Sequence, residues 1–322
     1  MLSSDETPAL SRGTIDPVGH RRGDQAWLEK AWADPDTRVV VLQDADPAAE
    51  GWRARLDRRS RALVAADDSG PRLVFSPPAQ APEGERFLLG VDDSGRAYFG
   101  VLAAEAEPPP AAPGAEPASL REVGALLGDR DSGLFTRAVA LAHWNATHRF
   151  CPACGAPARS AGAGHLRVCT REGTEHYPRT DPAVIMLVHR ESGGVQECLL
   201  GHNPRWPQGR YSVLAGFVEP GESLEQAVVR EVAEEVGVAV ADPVYQGSQP
   251  WPFPRSLMLG YTARAVGPAK RTDDQEISDS RWFSRPALRE AVESGEVLLP
   301  GSVSIARKLI EHWYGGRLPG EW

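Results

Sequence analysis

Apolar and polar positions alternate with two different periods along this chain, and the changes of period mark out its elements. Residues 1–24 are polar and are expected to be loose. A helical period over residues 26–32 is followed by strand-like runs at 38–42 and 73–75. A hairpin is predicted over 87–102, turning at Asp93, Ser94 and Gly95. The run EAEPPPAAPGAEP, residues 105–117, is too rich in proline for regular helix or strand and reads as a connector. A short helix is predicted over 119–127, and a second one starts with Ser132 as N-cap and carries Phe135, Ala138, Val139, Leu141 and Ala142 toward His148. Further on, strands are predicted at 183–188, 197–201, 210–214, 257–265 and 281–283, with helices at 286–294 and 303–314. This order predicts an α/β protein: an α/β/α sandwich around a mixed sheet, preceded by a small N-terminal α/β domain. The expected division is 1–24, 25–118, 119–180 and 181–322.

The densest chemistry lies in residues 216–238, GFVEPGESLEQAVVREVAEEVGV. Ser223 followed by Gln226 makes a capping box, and Gly237 sits where a left-handed C-terminal cap is wanted, so a helix is predicted from Leu224 to Val236. At about 100° per residue, Glu231, Glu234 and Glu235 continue the stripe begun by Leu224, Ala227 and Val228. Three like charges at such spacings repel, by roughly a few tenths of a kcal/mol for each pair on an isolated helix. Arg230 is one candidate counter-charge. A hard divalent cation, Mg2+ or Mn2+, is the stronger one, because it suits carboxylates that share a site with phosphate oxygens. Taken alone, a glutamate-rich run of this kind reads first as a solvated helix face; the surrounding glycines and Glu222 turn the reading toward metal.

The whole stretch resembles the signature of the Nudix hydrolases, with Gly216, Glu222, Arg230, Glu231, Val232, Glu234, Glu235, Gly237 and Val238 at every fixed position. The resemblance implies a loop–helix–loop that binds divalent metal and hydrolyses a nucleoside diphosphate linked to another group.

Composition narrows the picture. A chain of 322 residues is long enough for two domains, and its net charge of −9 argues against a protein built mainly to hold nucleic acid, without excluding a local basic groove. The N-terminus has no apolar leader and no long apolar run follows, so a soluble cytoplasmic protein with no membrane partner is expected. Four cysteines, three of them clustered, point to metal rather than to a disulfide framework.

Cys151, Cys154 and Cys169 have the spacing of a zinc ribbon whose second CxxC is incomplete, and Glu172 stands where the fourth cysteine belongs. A Cys3Glu zinc site is chemically allowed; His165 or His176 could serve if the loop bends, and a ribbon that has lost its metal is the alternative. Cys198, in an apolar strand, reads as a core residue.

Downstream, Ser248 to Ser256 reads SQPWPFPRS, with three prolines alternating with Trp251 and Phe253. Such a strip is expected to be extended and to hold a flat heterocycle by stacking, with Gln249 and Ser256 supplying hydrogen bonds. A proline-aromatic loop packed on its own core is the plain alternative. The strip resembles the array that marks NADH pyrophosphatases within the Nudix family. With the ribbon, the segment HYPRTDPAVI and the N-terminal domain, the likeness covers most of residues 26–315.

That resemblance implies NADH, NAD+ and RNA with a 5′ NAD cap as substrates, nicotinamide mononucleotide with AMP or 5′-monophosphate RNA as products, and a homodimer. Position by position it makes Glu231 and Glu235 metal ligands, Glu234 a metal-site or base carboxylate, and Glu276 a further metal-binding glutamate. Ala215 offers a backbone carbonyl to metal, and Arg230 and Glu222 belong to the catalytic set. Gln249, Pro250, Trp251, Pro252, Phe253, Pro254, Arg255 and Ser256, with Tyr177, Arg121 and Ala306, fall where that family contacts the dinucleotide. Two other readings compete: a Nudix hydrolase of another nucleoside diphosphate such as ADP-ribose, and a binding module for NAD or RNA ends without turnover.

Overall fold

The computed structural model describes residues 1–3, 6–43, 60–103, 114–267 and 276–321. The chain forms two compact bodies, one of Arg12–Thr180 with Trp251–Arg255, the other of Met1–Ser11, Asp181–Pro250 and Ser256–Trp322.

In the first body, α1 (Gln25–Ala33) starts from an Asp24 cap that accepts the Trp27 N–H. The strands are β1 (Arg38–Leu42), β2 (Arg61–Asp67), β3 (Gly70–Leu73), β4 (Gly84–Val91), β5 (Ala97–Ala103) and β6 (Ala115–Ser119). They form two three-stranded sheets, β1-β5-β4, with β1 and β5 parallel, and β3-β2-β6. Next come α2 (Leu120–Val123), opened by a Ser119–Glu122 capping box, and α3 (Asp129–Thr147), which buries Phe135, Ala138 and Val139. A third small sheet follows, β7 (Ala158–Ala161), β8 (Leu166–Cys169) and β9 (Glu175–His176), in the order β7-β8-β9.

The second body is built on β10 (Asp181–Ser192), β11 (Val195–His202) and β12 (Leu214–Phe217), then α4 (Leu224–Val236), β13 (Val240–Trp251), β14 (Ser256–Ala265), β15 (Asp279–Ser284), α5 (Arg285–Glu293) and α6 (Ile305–Tyr314). The sheet runs β13-β14-β10-β11-β15, with β12 also on β10. Because successive side chains of β10 point to opposite faces, Ile185 and Leu187 pack with Leu288, Val292, Leu309 and Ile310 of α5 and α6, whereas Val184, Met186 and Val188 pack with Ala227, Val228 and Val232 of α4. Each such fully buried aliphatic side chain contributes about 1.5–3 kcal/mol, so the expected three-layer sandwich is held from both faces of one strand. Among the described residues, no helix is long and apolar enough to cross a membrane.

Several expectations need correction. The first 24 residues are anchored where described: Leu10, Ile15 and Val18 are buried, and the Asp16 N–H donates to Val91 O at 3.1 Å. Ser132 does not cap α3; it lies inside the helix, buried, its hydroxyl bonded to Gly124 O, and Gly128 holds the cap position. The strand expected at 73–75 ends at Leu73, while β2 and β13 were not expected at all. Of the proposed connector, residues 105–113 lie outside the described residues, and Ala115 to Pro117 are in β6, at the sheet edge where proline is tolerated. The proline-aromatic strip is strand only as far as Trp251; Pro252 to Arg255 form a turn.

Candidate active site

The α4 capping box closes as its sequence requires: Ser223 Oγ accepts the Gln226 N–H at 3.2 Å and Gln226 Oε1 accepts the Ser223 N–H at 2.9 Å. At the other end Gly237 adopts φ 64° and its N–H donates to Ala233 O. The helix thus fixed turns Glu231 and Glu235 inward, each only 8% exposed, while the Glu234 side chain is 62% exposed. Gly216 on β12 makes room for the first of them. A Cβ built at Gly216 would fall 1.8 Å from the Glu231 carboxyl carbon, so any side chain there would displace the carboxylate.

Arg230 organises one half of the cluster. Its guanidinium grips Glu222 with two bonds of 2.8 and 2.9 Å, reaches Glu231 and Glu234 at 2.9 Å each, and donates to Phe217 O at 2.9 Å. These bonds hold the Glu222 carboxyl below its ordinary range and raise the guanidinium's own proton affinity. Arg230 is therefore the counter-charge for Glu231 and Glu234, and it ties the loop before α4 to the helix.

Glu235 receives no such compensation. Its Oε2 is buried without a hydrogen-bond partner, and burial, reinforced by the charges of Glu231 and Glu276, pushes its pKa up to about 8. The Ala215 N–H opposes this. Burial also raises Glu231, against the pull of Arg230, with Glu234 and Glu276 adding to the rise. Exposed Glu276 is thus electrostatically coupled to both buried carboxylates, and its neighbours Asp273 and Asp274 lie outside the described residues. A buried, uncompensated carboxylate beside a second carboxylate fits a hard divalent cation. Mg2+ keeps several waters and needs only one or two carboxylates, so the three helix glutamates need not contract into a closed cage.

The ribbon is more compact. Cys151, Cys154, Cys169 and Glu172 bring one ligand atom each within 4.8 Å of one another. Two matching turns achieve this: the Gly155 N–H donates to Cys151 O and the Gly173 N–H to Cys169 O, with φ 71° and 70° at the two glycines. The Glu172 N–H donates to Cys169 Sγ at 3.4 Å and lowers that thiol's pKa. Three thiols and a carboxylate converging this closely fit a structural zinc, with Glu172 rather than His165 as the fourth donor. His165 is committed elsewhere, its Nε2 lying 2.8 Å from Leu88 O.

The dinucleotide-contact candidates divide between the bodies. In the first, the Arg121 guanidinium lies 3.9 Å from the Phe253 ring centroid and 5.1 Å from that of Trp251, and the two rings meet edge to face at 5.1 Å. Pro252 and Phe253 are buried; Pro254 and Tyr177 are exposed, the Tyr177 hydroxyl donating to Glu175 at 2.6 Å. In the second, Pro250 is exposed and Ser256 half-buried at the start of β14. Gln249 departs from expectation. It is fully buried, its Nε2 donating to Val303 O at 2.7 Å and its Oε1 accepting the Ile305 N–H at 2.6 Å. Its amide braces the start of α6, where Ala306 is also buried, instead of being held ready for a ligand. Sequence reasoning passed over Phe217, an aromatic 60% exposed on β12, whose carbonyl Arg230 holds; the signal was its place one residue past Gly216.

Three family models match the chain: a NUDIX domain over residues 179–300, an NADH pyrophosphatase-like rudimentary NUDIX domain over 36–144, and an NADH pyrophosphatase zinc ribbon domain over 146–177. The chain is 42% identical over 302 residues to the NAD-capped RNA hydrolase NudC of Mycobacterium bovis (strain BCG / Pasteur 1173P2), covering 89% of this chain and 94% of that protein. It is 40% identical over 198 residues to the NAD-capped RNA hydrolase NUDT12 of Homo sapiens, covering 58% of this chain and 42% of that protein. A crystal structure of a NUDIX hydrolase from Nitrosomonas europaea aligns over 53% of this chain and 95% of its own, with a TM-score of 0.41 and 20% identity.

Proposed function

The chain belongs to the Nudix hydrolase family, in its NADH pyrophosphatase-like group, and on that premise we propose that it cleaves the diphosphate bridge of NAD(H) and of NAD-capped RNA. Water adds to one phosphorus, the bridging P–O bond breaks, and the bridging oxygen leaves with the other phosphate. The products are nicotinamide mononucleotide and AMP, or RNA with a 5′ monophosphate. The observation that carries this reading is Glu235, whose Oε2 is buried without a hydrogen-bond partner beside Glu231 on the helix that the family's signature defines.

Glu231 and Glu235, with Glu276 and the Ala215 carbonyl, would hold Mg2+ or Mn2+. A cation there neutralises diphosphate charge and acidifies a water. The chain's own residues do the rest: Arg230 keeps Glu222, Glu231 and Glu234 in register, and a carboxylate of the cluster takes the proton of the attacking water. The half-buried Trp251 ring and the exposed Phe217 supply faces for stacking flat heterocycles, with buried Phe253 packed edge to face against Trp251. Arg121, Arg255 and Tyr177 serve the dinucleotide as well, whereas Gln249 and Ala306 act through the start of α6. We read the working form as a cytoplasmic homodimer, which sedimentation of the full chain will test.

The experiment is product identification with Mg2+ or Mn2+ present. NADH and NAD-capped RNA should each release nicotinamide mononucleotide, with kcat/KM on NADH above that on ADP-ribose. Faster release of ribose 5-phosphate from ADP-ribose would move the assignment to that substrate, and a retained NAD complex without cleavage would make the protein a binding module.

A further inference from the structure

The three-stranded ribbon sheet has two unlike faces. Residues paired across antiparallel strands share a face, and alternate residues along a strand return to it. The pairs Ala158 with Cys169 and Ser160 with Arg167 set the inner face, where Ala158, Arg167 and Cys169 are buried and the Arg167 Nε donates to Asn145 Oδ1 at 3.1 Å. The pairs Phe150 with Pro157, Arg159 with Val168, and Val168 with Glu175 set the outer face, which Tyr177 ends two residues after Glu175.

That outer face carries Phe150, 65% exposed, and Tyr177, 64% exposed, with the exposed Arg159 between them. Arg159 is in no ion pair among the described residues. The one carboxylate in the row, Glu175, is capped by the Tyr177 hydroxyl. Leaving out buried Arg167, residues 149–179 expose four arginines against two glutamates, although the protein as a whole has a net charge of −9. A local basic surface on an acidic protein, interleaved with bare aromatic rings, has the chemistry that grips a single strand: cations for phosphates and π faces for bases. A large ring two-thirds exposed contributes little to the fold.

We propose that this outer face of the ribbon binds the single-stranded RNA that follows the NAD cap, stacking a base on Phe150 and holding a phosphate with Arg159. Three strand spacings, about 14 Å, separate the Tyr177 strand from that of Phe150, room for the first few nucleotides. Tyr177 is a dinucleotide contact in the function proposed above, on which this inference rests, so the row leads away from the cap. The surface gives the protein a reason to prefer capped RNA over free dinucleotide, which lacks those nucleotides.

The test compares NADH with a short NAD-capped RNA as substrates of the full chain, using wild type, Phe150→Ala, Phe150→Trp and Arg159→Ala, over a range of KCl. Wild-type zinc content and Tm qualify each variant as folded. The expected result is kcat/KM on NADH within about twofold of wild type for all. On capped RNA, KM should rise about tenfold for Phe150→Ala, with recovery in Phe150→Trp. For Arg159→Ala the salt slope of log kcat/KM should flatten by about 0.7, the loss of one single-strand phosphate contact. Unchanged capped-RNA kinetics overturn the proposal, and so does an equal loss on both substrates, which marks a structural role. Wild-type protein that cleaves neither substrate removes the hydrolase reading itself, a failure seen before any variant is compared.

Discussion

Glu235 shows most clearly how single residues are set for their work. Its folded pKa, about 8, lies above the ordinary carboxylate value of 4.5 because burial and two neighbouring carboxylates disfavour its charge. The folded state therefore holds a proton that the unfolded state gives up. In cation-free protein, stability at Glu235 is at its fullest below pH 4.5, falls as pH rises toward 8 and levels off beyond. Glu235→Gln removes the titrating group, so its metal-free Tm at pH 8 should exceed that of wild type by about 3 °C or more, with no advantage at pH 4.5. Scanning calorimetry at the two pH values checks this, and a variant less stable than wild type at pH 8 would mean that the carboxylate is already compensated. Gly216 shows the same logic from the other side: the signature's glycine is where a carboxylate needs the volume of a missing Cβ.

At the scale of elements, Gln249 and Glu172 are the testable cases. Because the Gln249 amide braces the backbone at Val303 and Ile305, Gln249→Ala should lower stability by about 1–3 kcal/mol, the cost of leaving buried groups unpaired, with KM for NADH little changed. Denaturant titration beside steady-state kinetics separates this from a direct ligand contact, which would raise KM at unchanged stability. For the ribbon, Glu172→Ala should drop bound zinc below one equivalent during dialysis, while Glu172→Cys should retain it more tightly than wild type. Elemental analysis after graded chelation reads both, and zinc retention independent of residue 172 would assign the fourth ligand elsewhere. These elements also show what the sequence makes legible. Helix α4 was predictable to the residue because its capping box, its glycine stop and its apolar stripe agree. Strand β13 was hidden because Pro243, Gly247 and Pro250 argue against a strand, yet β13 is a sheet edge, where a missing N–H costs no ladder bond. Strand β2 was hidden by three alanines of weak strand preference, and pairing with β3 and β6 on either side supplies what local preference does not. The burial of Gln249 was illegible because it depends on α6, more than fifty residues away.

At the scale of the molecule, the carboxylate helix belongs to one body, and the ribbon and the aromatic strip to the other. The signature pointed to a NUDIX domain and the cysteine spacing to a zinc ribbon, and a family model matches each. The central claim is that Glu231 and Glu235 form a cation cradle for diphosphate hydrolysis. Its most direct measurement is a Mg2+ titration of nicotinamide mononucleotide release from NADH, by wild type and Glu235→Gln of equal zinc content. The account predicts saturable activation of wild type and, for the variant, a kcat lower by about 10^2-fold or more with weaker apparent cation affinity. Equal turnover by the two proteins, or wild-type cleavage that does not depend on added divalent cation, would contradict it.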